Sequence, residues 1–410
     1  MSEQIVADRG AINRDPINRA AARLCTFVVA GTAGMVLTLT AYSESFSATH
    51  VGPVLAGLIV LHLLWHRRFF WCREFALYAY FVLYMVIALL WTHDTELAMN
   101  TLAPAVNGIL VMILFGSLIT YHNIPTLLAG ALFGFAVGAA YYTLTQGFPF
   151  SYPQDFSYNA IAGMYLFGLF ITLMYGCFGR SSGIFVIAIA PIIMLHIVAT
   201  TSIKTNLGIL LGLLASAIMY FRHFGRLFRR KILLLVLLAG ALALAVASND
   251  ALVDKLGRGV QRVSVGVQVL ENRDDVAGYS AFAKRDYWKH AGIEGWKLNP
   301  VFGYGVEAFR HDYGITSHST PIDLLYNSGL IGLVLFYGIF ASLFWRLLQL
   351  DEHRFSGQRS LMFAGVVCYV FVSLSGTIHY NCFLACFIGI SSALLTLRRR
   401  TCATKMAATT

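Results

Sequence analysis

The chain has 410 residues, of which 58% are hydrophobic and 12% charged, and its formal net charge is +10. A soluble domain carries roughly 25% charged residues, so this composition excludes an ordinary soluble globular protein. The positive charge does not mark a nucleic-acid reader either, because Lys and Arg cluster in short links between apolar stretches, where they set membrane topology.

Residues 1–20 are polar and mixed in charge. They lack the apolar core of a cleavable signal peptide, so the first helix is expected to act as an uncleaved signal anchor. Crossing the hydrocarbon core takes about 20 mostly apolar residues. The sequence predicts twelve such helices, at about 21–43, 51–66, 75–92, 103–121, 125–146, 159–178, 183–199, 205–221, 232–248, 322–348, 361–376 and 380–397. Nothing reads as the alternating ten-residue strands of a closed β-barrel. The expected architecture is an all-α polytopic membrane protein, a single transmembrane domain over 1–410. One large, partly helical hydrophilic loop, 249–320, joins helices 9 and 10.

The links sort by charge. One side holds Arg9, Arg14, Arg19, Arg23, Arg67, Arg68, Arg73, Arg180, Arg222, Arg226, Arg229, Arg230, Lys231, Arg354, Arg359 and Arg398 to Arg400. The short links of the other side have Lys204 as their only Lys or Arg. This asymmetry puts both termini in the cytoplasm and 249–320 outside. That loop carries nine Lys or Arg and nine Asp or Glu, and long segments translocate largely regardless of charge.

Several kinds of chemistry find no residues to support them. There is no Gly-rich loop followed by Lys for a nucleotide triphosphate. No His-Glu-x-x-His or Cys-x-x-Cys spacing appears, and none of the seven cysteines falls in the outer loop. Neither a metal nor another cofactor is expected. The predicted spans are almost free of carboxylates, which argues against an ion-coupled transporter and against an exporter with a charged path.

Within the loop, Leu256, Val260, Val263, Val267 and Leu270 recur at helical spacing, while Val263, Val265, Val267 and Val269 alternate like a strand. Arg258 and Arg262 stand one helical turn apart. They suit either a solvated face against lipid phosphates or a hold on a lipid-linked diphosphate. Further on, Arg285 and Trp288 lie one turn apart on a predicted helix that ends near Asn299-Pro300. Phe302 to Gly305 forms a tight turn, and His318 stands just before the helix that re-enters the membrane.

These residues resemble the O-antigen ligase and polymerase family of bacterial envelope glycosyltransferases. That family shows an Arg-x-x-Trp helix, then Pro-x-x-Gly-x-Gly with a following Phe. A His, usually followed by Asn, then opens a Leu-rich helix with Gly-Leu-x-Gly. Here the positions read Arg285 and Trp288, then Pro300, Gly303, Gly305 and Phe309, then His318, then Gly329, Leu330 and Gly332. Ser319 replaces the usual Asn. The family's outer Ser-Arg pair corresponds to Ser202 to Lys204, where Lys replaces Arg and keeps the charge without the planar fork.

The resemblance implies a fold like that of the C-type glycosyltransferases. It implies transfer of an O-antigen glycan from undecaprenyl diphosphate to a sugar of lipid A–core, at the periplasmic face of a Gram-negative inner membrane. Donor, acceptor and membrane lipids would be the partners, with no nucleotide and no nucleic acid. The donor carries its own leaving group, so the demand is for fixed cations facing a departing diphosphate. Arg285 and Lys204 would supply them, with Arg258 and Arg262 in support. His318 would take the acceptor proton or hydrogen-bond the diphosphate. Trp288, Tyr304 and Tyr313 would stack on sugar rings or anchor at the interface. His290, His311 and His379 are expected to be background. A polymerase acting on the same donor is the nearest alternative, but its relatives usually show two sizeable outer loops, and the second here, 147–158, is short. A non-enzymatic exporter of lipid-linked glycans is the reading from another class.

Overall fold

A computed structural model describes residues 16–42, 48–66, 71–119, 123–146, 158–178, 189–190, 192–194, 196–197, 204–216, 218, 279–350 and 356–407. The predicted helix at 232–248, the loop portion 249–278 and with it Arg258 and Arg262 lie outside the described residues, as does much of 183–199. No strand occurs among the described residues.

In chain order the helices are α1 (Pro16–Tyr42), α2 (Ala48–His66), α3 (Arg73–Ala88, closed by a 3-10 turn at Leu89–Trp91), α4 (Thr95–Leu118), α5 (Ile124–Gln146) and α6 (Tyr158–Gly176). They continue with α7 (Lys204–Ser216). Last come α8 (Tyr279–Leu298), α9 (Ala308–Tyr313), α10 (Thr320–Leu348), α11 (Ser356–Ser373) and α12 (Cys382–Ala407). Five are long and apolar enough to cross a membrane, within α1, α3, α4, α5 and α10, and five shorter apolar helices accompany them. These ten stand at the places of ten predicted spans, and the chain is a multi-pass membrane protein.

Helices in lipid associate through close packing rather than through exclusion of water. Accordingly, α1 and α5 meet on glycines: Gly34, Gly130 and Gly134 leave no room for a Cβ against the facing backbone, and Gly31 leaves little. Hydroxyls buried in these helices turn inward to their own backbone. Thr38 donates to the Gly34 carbonyl at 2.7 Å and Thr172 to that of Gly168 at 2.8 Å.

Several features depart from expectation, besides starts about five residues early for α1 and α11. α4 starts at Thr95 rather than 103, because the Asp94 carboxylate caps it by accepting from the Leu97 amide at 2.9 Å. A polar first turn, His93 to Asn100, hides that start from hydropathy. α12 continues to Ala407, past its predicted end at 397. α10 is broken rather than continuous: Gly329 sits at φ 61°, ψ −162°, inside an otherwise helical run.

The expectation that carboxylates are nearly absent from the spans also needs correction. Glu74, in the first turn of α3, is fully buried and pairs with Arg346 of α10 at 2.6 Å. Ser342 donates to the other Glu74 oxygen at 2.7 Å, and Arg346 also donates to Thr396 at 2.9 Å. Asp323 is buried in the first turn of α10.

Candidate active site at the N-terminal end of α10

The break at Gly329 explains why the glycine-rich turn has its sequence. A helix opened at one residue frees carbonyls before the break and N–H groups after it, and buried backbone groups need partners. The turn 300–305 supplies them. Tyr304 N–H donates to the Tyr326 carbonyl at 2.9 Å and Gly305 N–H to that of Asn327 at 2.8 Å, while Leu330 N–H donates to the Pro300 carbonyl at 2.9 Å. Gly303, at φ 69°, and Gly305, at φ 103°, take left-handed conformations that L side chains rarely adopt. A Cβ on Gly303 would also collide with the backbone of 327–329. Pro-x-x-Gly-x-Gly and Gly-Leu-x-Gly are therefore two halves of one joint.

Neighbours lock this joint. The Asn327 side chain accepts the Phe309 amide at 2.8 Å, and Phe309 is fully buried. The Tyr84 hydroxyl lies 2.9 Å from the Phe302 carbonyl and 3.0 Å from that of Ser328, bridging turn and helix. The Thr92 hydroxyl accepts the Val306 amide at 2.9 Å. The start of α10 is thus a rigid platform, and His318 stands on its rim.

His318 has φ 59°, one of two non-glycine residues with positive φ among those described. Holding a bulky residue there costs about 1–3 kcal/mol, which the surroundings must offset. The flanking serines contribute. The Ser317 hydroxyl donates to the Ser319 carbonyl at 2.9 Å and accepts the Ser319 amide at 3.2 Å. The imidazole is half-buried, and the indole of Trp288 lies beside it with ring centroids 5.8 Å apart. Burial lowers the His318 pKa from its usual value, and the positive charges of Arg285 and Lys204 lower it further. Three residues from separate segments, α7, α8 and the 317–319 turn, therefore lie within electrostatic reach of one another.

The two cations differ in setting. Arg285 is exposed on α8, one turn before Trp288, so both share a face. It forms no ion pair among the described residues. Lys204 opens α7 and is half-buried, and its ammonium donates to the Ser375 carbonyl at 3.0 Å. An ammonium has three donors, and among the described residues no carboxylate pairs with this one.

The other aromatic candidates are placed differently. Tyr304 packs against Tyr326 at 4.9 Å and donates to the Gly295 carbonyl at 3.1 Å. Tyr313 packs on Phe309 at 4.6 Å. Like Trp288, both are partly buried against a small cluster of Ala308, Phe309 and Tyr326. Of the background histidines, His290 and His311 are exposed beside Asp286 and Asp312. His379 is buried, edge-on to Phe81 and Phe336. Sequence reasoning missed two buried acids behind the rim, Glu307 and Asp323. Burial and the nearby Asp323 charge push the Glu307 carboxyl above its usual range, against the effect of Arg310 and of hydrogen bonds with Thr101 and Tyr380. Asp323 had a readable signal, as the one acidic residue inside the apolar run 320–348.

Among curated proteins, none matches the chain. Residues 184–337 match the family model described as O-Antigen ligase. That span contains Lys204, the paired glycine motifs, Arg285, Trp288 and His318, so the likeness to the O-antigen ligase family falls on the part of the chain that carries the candidate site.

Proposed function

We propose that the protein is an O-antigen ligase of the Gram-negative inner membrane, with both termini cytoplasmic and the outer end of α10 in the periplasm. It moves an O-antigen glycan from undecaprenyl diphosphate to a hydroxyl of lipid A–core. The observation that carries this reading is the convergence of Lys204, Arg285 and His318 at one rim, with positive charge that no carboxylate among the described residues pairs with. A diphosphate suits that charge.

In the proposed reaction the acceptor oxygen attacks the anomeric carbon of the first donor sugar. The bond from that carbon to the diphosphate oxygen breaks, and its electron pair leaves on the diphosphate. Arg285 and Lys204 stabilise this charge, and more strongly in the transition state, where it grows. His318, neutral at pH 7 because its pKa is lowered, is suited to take the acceptor proton. A histidine bound to the diphosphate is the alternative role, and a neutral imidazole can donate there too. Trp288, beside His318, is placed to stack on a sugar ring next to the reacting bond. Its ring contact with His318 favours Trp288 over Tyr304 and Tyr313 for this task. Arg258 and Arg262, outside the described residues, are proposed as further diphosphate contacts. The reaction as proposed uses neither a nucleotide nor a metal.

The test is transfer by the purified protein, given lipid-linked O-antigen and lipid A–core, with and without EDTA. Glycosylated lipid A–core, formed equally in EDTA and lost in His318→Ala, supports the reading. Lengthening of the lipid-linked glycan in the absence of lipid A–core would replace it with a polymerase. Full activity of His318→Ala and Arg285→Ala would remove the site.

A further inference from the structure

Lys204 and His318 come from distant parts of the chain, and a third segment touches the supports of both. This segment is the loop 374–381 between α11 and α12. Its Ser375 carbonyl receives the Lys204 ammonium at 3.0 Å. Its Gly376 carbonyl accepts the Thr320 hydroxyl at 2.6 Å and the Thr320 amide at 3.2 Å. The Thr320 hydroxyl in turn accepts the Ile378 amide at 3.0 Å. A Cβ at Gly376 would displace the Lys204 ammonium from its place beside this loop.

Asp323 closes this arrangement. One carboxylate oxygen accepts the Ser317 amide at 2.9 Å, and the other accepts the Thr377 hydroxyl at 2.7 Å. The first bond fixes the turn that carries His318, and the second fixes the loop that carries the Lys204 contact. Asp323 is 2% exposed. Burying a carboxylate among neutral donors is costly, and an apolar residue would serve stability as well or better. An acid in a first helical turn is favoured by the helix dipole, but that does not require a bond to a loop 54 residues away.

We propose that Asp323 is a positioning residue: by gripping the Ser317–Ser319 turn and the Ser375–Ile378 loop at once, it holds His318 and Lys204 in register. The inference rests on the ligase reading for its consequence and on the hydrogen bonds for its geometry.

Thr377→Val keeps the shape and removes the donor, while Thr377→Ser keeps the donor. In the transfer assay, Thr377→Val is expected to lower kcat about tenfold with KM for lipid A–core nearly unchanged, since small misplacements of reacting groups fall on the chemical step. Thr377→Ser is expected to restore kcat, and Asp323→Asn with Thr377→Val to be no worse than Asp323→Asn alone. Hydrogen exchange of the purified protein reads the geometry without activity. Thr377→Val should speed exchange in 375–378 and in 317–319 together. If exchange in 317–319 stays as in the wild type, or if Thr377→Val and Thr377→Ser are equally impaired, the positioning role is wrong. A wild type with no transfer activity would sink the ligase reading alone, because the exchange experiment would still decide the role of Asp323.

Discussion

The two ends of α10 treat positive charge in opposite ways. At one end Arg346 is buried and answered: Glu74 pairs with it at 2.6 Å, and Thr396 and Ser342 complete the shell. At the other end Lys204 and Arg285 lie near His318, depress its pKa, and meet no carboxylate partner among the described residues. Among the described residues, a cation in the interior is neutralised and two at the rim are not. The first arrangement holds helices together. The second leaves a place for an anion.

Substitutions at the two ends should therefore separate stability from activity. The largest effect on stability is expected for Glu74→Ala, which strands the Arg346 guanidinium. Breaking one partner of a buried pair costs about 3–5 kcal/mol, read as a loss of thermal stability in detergent. Activity per folded molecule should be preserved, because the pair lies at the far end of the helix. Arg285→Ala should do the reverse. Its stability should stay within about 0.5 kcal/mol of the wild type, as for other exposed sites. Transfer should fall about a hundred- to thousandfold, the usual cost of losing one group that stabilises developing negative charge.

A smaller loss is expected at Lys204. Lys204→Ala should cost about ten- to hundredfold in kcat/KM, the equivalent of one hydrogen bond to a charged group. Lys204→Arg should cost less, since the charge is kept. The smallest effect is a shift in the pH profile. The lowered pKa of His318 keeps it neutral at pH 7, so transfer should be on a plateau there and fall as acid protonates the imidazole, below about 6.5. In Arg285→Ala one of the charges that disfavours protonation is gone, so the acidic limb of the residual activity should move to higher pH. An unmoved limb would show that the two residues do not share a site.

How much of this was legible in the sequence follows from how scarce charge is in this chain. Lys204 stood out as the lone outward cation of the short links, and Arg285, Trp288 and His318 as members of a spaced pattern. Helix α8 ends at Leu298, next to the predicted end at Asn299-Pro300. The break at Gly329 was not legible, because a glycine inside an apolar run reads equally well as a close-packing residue. Only the partner turn at 300–305 reveals that the helix opens there. The roles of Tyr304 and Tyr313 were hidden for a related reason. An aromatic in an outer loop has the same appearance whether its face meets a sugar or Phe309. Asp323 could be noticed as the one acid of its apolar run, but its bond to Thr377 could not, since a hydrogen bond across 54 residues has no periodicity to announce it.

The central claim is that the unneutralised cations at the rim of α10 hold a diphosphate. Binding of undecaprenyl diphosphate to the purified protein, measured for the wild type, for Lys204→Ala with Arg285→Ala, and for Arg346→Met, tests it most directly. The account predicts that the double variant loses affinity about a hundredfold or more, two charge-assisted contacts being removed, while retaining wild-type thermal stability. It also predicts that any folded Arg346→Met protein binds as the wild type does. Equal affinity in the double variant and the wild type would contradict it.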